Sequence, residues 1–431
     1  MEPTSRPKGY SQDEMAARRS LAKLQRMVPH PPSPSAIERR LRERGGYVGQ
    51  DDAVATLSLG MAIHARRIWN GTRSDPDPRP MPRLSHLLIA GSGQGKSYLV
   101  GQLARWGLGG DPVPYHRADM NRLTEFGYYG GDADQLVAGA IAAAGGDRAV
   151  AEGSAIMFLD EIDKLRSYGS PNHREVGGAT AQAALLDLVE GQLMTADMYD
   201  RGADGRSLRT TIQFDASGVW VVAAGAFSGL SAIVERRIRG PRRMGFSATA
   251  AKPIDAALRR ADVLRETTVE DLVSYGMLPE LCGRFLDIVV LDPLRASDYR
   301  AILGLKTADA PIRQWKRVAE TLAFELRFTD GLLDALAAAA EAEGLGARSL
   351  RGLVGRACRR AMCEVPERVR SRPAYDVYAR CTLDVAALED GSYGLTWPRR
   401  TKRQAWAEPG WSDEVEGEAG AEEPESGTAA G

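Results

Sequence analysis

The segment Ile156–Leu165, IMFLDEIDKL, is an apolar run that breaks abruptly at Asp160-Glu161. A second apolar run, SHLLIA, precedes the glycine-rich turn AGSGQGKS at Ala90–Ser97. Strands that are apolar at successive positions must be buried on both faces, which is the condition of a parallel sheet covered by helices. Such sheets bind ligands outside the carboxyl ends of their strands, where both motifs stand. The pair therefore predicts an α/β fold with a nucleotide site.

Each residue type has a task there. Gly91, Gly93 and Gly95, with Ser92 and Gln94 between them, let backbone N–H groups converge on phosphate oxygens. Lys96 supplies a charge for the terminal phosphates, Ser97 a hydroxyl for magnesium, and Tyr98 opens the following helix. Alanine stands at position 90, where a glycine is usual; it is small and ends a strand, so the loop should tolerate it. Asp160 is expected to hold magnesium, directly or through water, and Glu161 to polarise the attacking water. ATP and Mg²⁺ are the expected ligands.

The pattern extends along the chain. Strands are expected at Ser85–Ala90, Ala155–Leu159 and Val219–Ala224, with helical spacing after each of the first two. Residues 1–44 read as an appendage with a short basic helix, Gln12–Met27, and a proline-rich break before Ala36–Arg44. Residues 45–292 form the large domain. Residues 293–400 form a smaller, mainly helical domain with short strands at Phe324–Phe328 and Tyr375–Leu383. Residues 401–431 read as an acidic, disordered tail.

Composition excludes some classes. The formal net charge of −1 creates no strong field toward nucleic acid or membrane. No run of 18 apolar residues is present, and the N-terminus lacks a signal pattern, so a cytoplasmic protein is expected. Cys282, Cys358, Cys363 and Cys381 form no CxxC pair, so no zinc is expected.

From about Pro34 to about Pro366 the chain resembles the ClpX family of AAA+ unfoldases. The similarity is carried, in order, by YVGQDDAV at 47–54, LTEFGYYGGD at 123–132, MFLDEIDKL, ALLDLVEG at 184–191, GAF at 225–227, MGFSA at 244–248, EDLVSYGMLPELCGRF at 270–285 and GARSLR at 346–351. The resemblance implies an AAA+ large domain with a small C-terminal domain, assembled as a homo-hexamer. It places the adenine near Val48. It makes Gly127, Tyr128, Tyr129 and Gly130 a pore loop whose aromatic grips a translocating protein substrate, a contact that is mostly steric and apolar. Arg284 becomes a finger presented to the neighbouring subunit's ATP, catalytic with Glu161 and Lys96, and Arg348 a second phosphate sensor. Met244, Gly245 and Phe246 become a docking loop for a ClpP-type peptidase.

Three departures limit the similarity. The family's zinc-binding N-terminal pattern does not occur in this sequence. Its basic pore-entrance loop cannot be assigned within Thr195–Gln213, and VWVVAAGAF offers no polar sensor side chain. The implied activity is ATP-dependent unfolding of proteins for a peptidase. A remodelling chaperone without a peptidase is one alternative. A nucleic-acid motor is another, suggested by Arg18, Arg19, Lys23 and Arg26, although a solvated or docking face explains that helix more simply.

Overall fold

A computed structural model describes residues 11–73, 81–121, 131–166, 181–201, 207–239, 253–371, 377–399 and 425–426. The chain divides into two compact units, Met1–Pro293 and Leu294–Gly431.

The first unit is built on five strands: β1 (Ser85–Ile89), β2 (Tyr115–Asp119), β3 (Ile156–Asp160), β6 (Trp220–Gly225) and β7 (Asp287–Val290). Two more, β4 (Leu193–Arg201) and β5 (Ser207–Asp215), form a separate antiparallel hairpin. The main sheet has the order β2-β3-β6-β1-β7, and every neighbouring pair is parallel. The α/β expectation from the apolar runs is therefore met.

Alternate residues of each central strand feed two different cores, as the two-residue period requires. Leu87, Ile89, Met157, Leu159, Val221 and Ala223 face one core. Leu88, Ile156, Phe158, Trp220, Val222 and Ala224 face the other. Burial of β1, β3 and β6 is complete along their length.

Helices α1 (Gln12–Met27), α2 (Pro34–Glu43), α3 (Asp51–Gly71) and α4 (Lys96–Trp106) come first in the chain. Ile37, Leu41, Leu57, Met61, Leu99 and Leu103 from α2, α3 and α4 fill the second core. The basic helix α1 is not a free arm. Its Ser11 forms a capping box with Glu14. Ser20 Oγ donates to Asp147 at 2.8 Å, Lys23 Nζ reaches the same carboxylate at 2.9 Å, and Met27 and Val28 are buried.

The second unit has its own core around Leu336, Leu350, Val354, Cys358 and Cys381. Its strands β8 (Phe324–Phe328), β9 (Ala379–Leu383), β10 (Gly394–Thr396) and β11 (Glu425–Ser426) form one sheet, with β8 and β9 parallel. One long helix runs from Arg348 to Ser371 and passes through Pro366, which is itself buried. Proline normally breaks a helix interior; here Val365 and Pro366 are held in the core. Burial pushes the thiols of Cys282 and Cys381 up to about 12, so both behave as small hydrophobes. Among the described residues no helix is long and apolar enough to cross a membrane.

Candidate active site

The glycine-rich loop leaves β1 at Ala90 and enters α4 at Lys96, so the strand's carboxyl end and the helix's amino end meet on it. Gly93 and Gly95 both lie in the left-handed region, with φ +76° and +91°. At Gly95 a Cβ would also stand 3.2 Å from the Tyr47 hydroxyl. Only glycine meets both the backbone angle and the close approach. The Gly91 N–H donates to Gln94 Oε1 at 2.8 Å, closing the loop on itself. Lys96 Nζ donates to the carbonyls of Ala90 at 2.6 Å and Gly91 at 3.0 Å. The lysine is thus folded over the loop that it would share with phosphate.

Asp160 ends β3 and is 5% exposed. Because β6 lies between β3 and β1, the loop and Asp160 approach from strands that are not adjacent. Ser97 Oγ donates to Asp160 Oδ2 at 3.0 Å, and Oδ1 accepts the Glu161 amide at 3.1 Å. Glu161 has φ +59°, a left-handed conformation uncommon for a residue with a side chain, and its side chain is exposed. The turn is held from the next residues. Asp163, 3% exposed, accepts the amides of Ala226 at 3.2 Å and Phe227 at 3.1 Å. A Cβ at Gly225 would lie 2.6 Å from Asp163 Oδ1, which explains the glycine of the GAF segment.

Val48 is half-buried beside Tyr47. Tyr47 stacks on Tyr98 with ring centroids 6.2 Å apart, and Tyr98 donates to the Gly45 carbonyl at 2.7 Å. Gln50 clamps this segment to the end of β7 through two 2.7 Å bonds with the Asp292 backbone. The Tyr47 hydroxyl is buried, has no hydrogen-bond partner among the described residues, and is pushed up by that burial.

Arg284 is half-exposed and pairs with Glu190 of its own chain at 2.6 Å. Arg348 opens the helix Arg348–Ser371 of the second unit. Gly127, Tyr128, Tyr129 and Gly130, and Met244, Gly245 and Phe246, fall outside the described residues. Sequence reading missed Arg117, whose guanidinium donates to Asp160 Oδ2 from Nη2 at 2.6 Å. It also missed the carboxylate clamp of Asp163. The described parts of Thr195–Gln213, the segment without an assignable basic loop, belong to β4 and β5, where Tyr199 is exposed.

The residues present fit magnesium with nucleotide. A glycine cradle, a lysine, a hydroxyl and a buried carboxylate converge at one helix amino end, where the helix dipole also favours phosphate. Among the described residues no group of three or more His, Cys, Asp or Glu could hold a metal by itself.

A parallel sheet with this loop and this acidic strand end defines a nucleotide hydrolase of the AAA class. Residues 81–288 match the family model described as AAA domain (Cdc48 subfamily). The chain is similar to the ATP-dependent Clp protease ATP-binding subunit ClpX of Azotobacter vinelandii, 33% identical over 386 residues, 86% of this chain and 82% of that protein. It is also similar to ClpX 3 of Methylococcus capsulatus, 33% identical over 395 residues covering 89% and 85% of the two chains. For ClpX of Borrelia duttonii the values are 31% over 337 residues, 78% and 75%. The chain belongs to the ClpX family of Clp-type AAA+ ATPases.

Proposed function

We propose that this protein is an ATP-dependent unfoldase, acting in the cytoplasm as a homo-hexameric ring that pulls protein substrates through a central pore and passes them to a ClpP-type peptidase. The observation that carries the reading is the meeting of Ser97 Oγ and the buried Asp160 at 3.0 Å, beside the lysine-bearing loop, in a chain of this family. The names of the relatives, Clp protease ATP-binding subunits, support the peptidase partnership.

In this reading the N–H groups of Gly91–Ser97 bind the phosphates, and Lys96 exchanges its loop carbonyls for phosphate oxygens. Ser97 and Asp160 would hold magnesium, which when bound would supply charge neutralisation at those oxygens. The Glu161 carboxylate, exposed beyond the buried strand end, orients the attacking water. Arg284 exchanges Glu190 for the neighbouring subunit's γ-phosphate, and Arg348 reports phosphate state to the small domain. Val48 lies beside the adenine. Tyr128, flanked by Gly127, Tyr129 and Gly130, grips the substrate, and Met244-Gly245-Phe246 docks the peptidase.

The test combines purified protein, ATP, ClpP and a tagged fluorescent substrate. Wild type should extinguish fluorescence and degrade the protein. Tyr128→Ala should keep ATP turnover but lose unfolding by roughly tenfold or more, as loss of an aromatic grip implies. Full unfolding by Tyr128→Ala would sink the pore-loop assignment. Fluorescence loss without degradation would replace the peptidase role with remodelling.

A further inference from the structure

The carboxylate assigned to magnesium already holds a cation of its own chain. Arg117 stands on β2, across β3 from the phosphate loop. Its guanidinium donates to Asp160 Oδ2 twice, from Nε at 3.0 Å and Nη2 at 2.6 Å. Ser97 Oγ reaches that same oxygen, and Oδ1 carries the Glu161 amide. Both oxygens of Asp160 are therefore engaged, and Oδ2 is crowded by three donor atoms. A metal ion or its bound water can approach Oδ2 only as a donor withdraws. The partners differ in freedom: the Arg117 side chain is 51% exposed and the Asp160 side chain 7%. The arginine can swing to water; the aspartate is fixed at the strand end. A guanidinium and a divalent ion also repel one another at this range.

We propose that Arg117 is a lock on the magnesium site. It neutralises the buried Asp160 before metal loads, and it swings out as magnesium is taken up beside Ser97. This rests on the nucleotide-site reading above. The consequence is that tight nucleotide binding has a magnesium threshold set by Arg117. The forked, two-point geometry makes arginine specific for the task, because lysine offers a single point charge.

Binding of a fluorescent ADP, titrated with magnesium at fixed nucleotide, reads the lock without any turnover. In Arg117→Met the half-saturating magnesium concentration should fall roughly two- to fivefold, the scale of a partly exposed ion pair. Arg117→Lys should fall between the two, and binding in excess chelator should stay within about twofold of wild type. Arg117→Gln makes the same measurement if the methionine variant does not fold. An unchanged or higher magnesium midpoint overturns the lock. So does loss of chelator-resistant binding, which would place Arg117 on the nucleotide itself. Absence of any binding that Lys96→Ala abolishes would overturn the nucleotide-site reading, and the lock with it.

Discussion

The carboxyl and amino ends of the central sheet are made by the same five parallel strands, yet they are opposite environments. At the carboxyl end, Lys96, Arg117, Asp160 and Glu161 gather around a glycine loop, and every one of them except Asp160 is at least partly exposed. At the amino end two histidines are buried in hydrogen-bonded packing, and His86 Nε2 also lies 3.6 Å from the half-exposed Asp287 carboxylate. His64 Nε2 lies 2.9 Å from the Ser154 carbonyl, Trp220 Nε1 donates to His86 Nδ1 at 3.2 Å, and both histidines are at most 2% exposed. Trp220 is packed between them, with ring centroids 5.8 Å and 5.6 Å away. The difference teaches where charge can be afforded. Parallel strands feeding helices leave unpaired N–H groups at one end, which a ligand can satisfy. At the other end the donors are side chains already engaged within the chain: Arg83 Nη2 donates to the carbonyls of Leu188 and Ala216, each at 2.9 Å.

The comparison breaks first if chemistry and stability do not separate between the two ends. Glu161→Gln should lower ATP turnover by roughly 10²–10⁴-fold, the range for losing a positioned acid–base group, while leaving nucleotide binding intact. Steady-state hydrolysis beside equilibrium binding checks this. Near-normal turnover would remove Glu161 from its assigned task.

At the amino end the effect should be on folding. Trp220→Ala empties a fully buried site and should cost about 3–5 kcal/mol in denaturant unfolding. Nucleotide affinity of the folded fraction should not change. If the affinity collapsed while the stability held, the two ends would be coupled in a way that the packing does not suggest.

The finest test is pH. Burial lowers His64 and His86 from 6.5 to about 4. The unfolded chain therefore takes up protons between pH 6.5 and 4 that the folded chain refuses. The stabilising contribution is complete above pH 6.5 and is lost as pH falls toward 4. Each histidine should account for roughly 1–3 kcal/mol across that window. Unfolding curves at pH 7 and 4.5 would measure it, and His86→Gln should flatten the slope. An unchanged slope in that variant would show that His86 is not held neutral.

Legibility followed the same division. The strands β1, β3 and β6 were readable to within a residue at either end because they are buried at every position and mostly apolar. β2 was not, because YHRAD is polar and only partly buried. β7 was missed as a four-residue edge strand, DIVV. The β4–β5 hairpin was missed for a related reason: it stands outside the main sheet, and several of its side chains are exposed. The basic helix α1 was readable as a helix, but its docking through Ser20 and Lys23 depends on Asp147, more than a hundred residues away.

The sequence by itself determined the α/β class and pointed to an ATPase, because a glycine-rich loop between strand and helix is a contiguous run whose geometry is local. It also determined the family, through motifs that recur in order. Tertiary structure alone decided that Arg117 faces Asp160, that Asp163 clamps the turn after the acidic pair, and that Tyr47 lies over Gly95. Each of these joins residues from different strands or loops. Their meeting depends on strand order and register, which no spacing along one chain encodes.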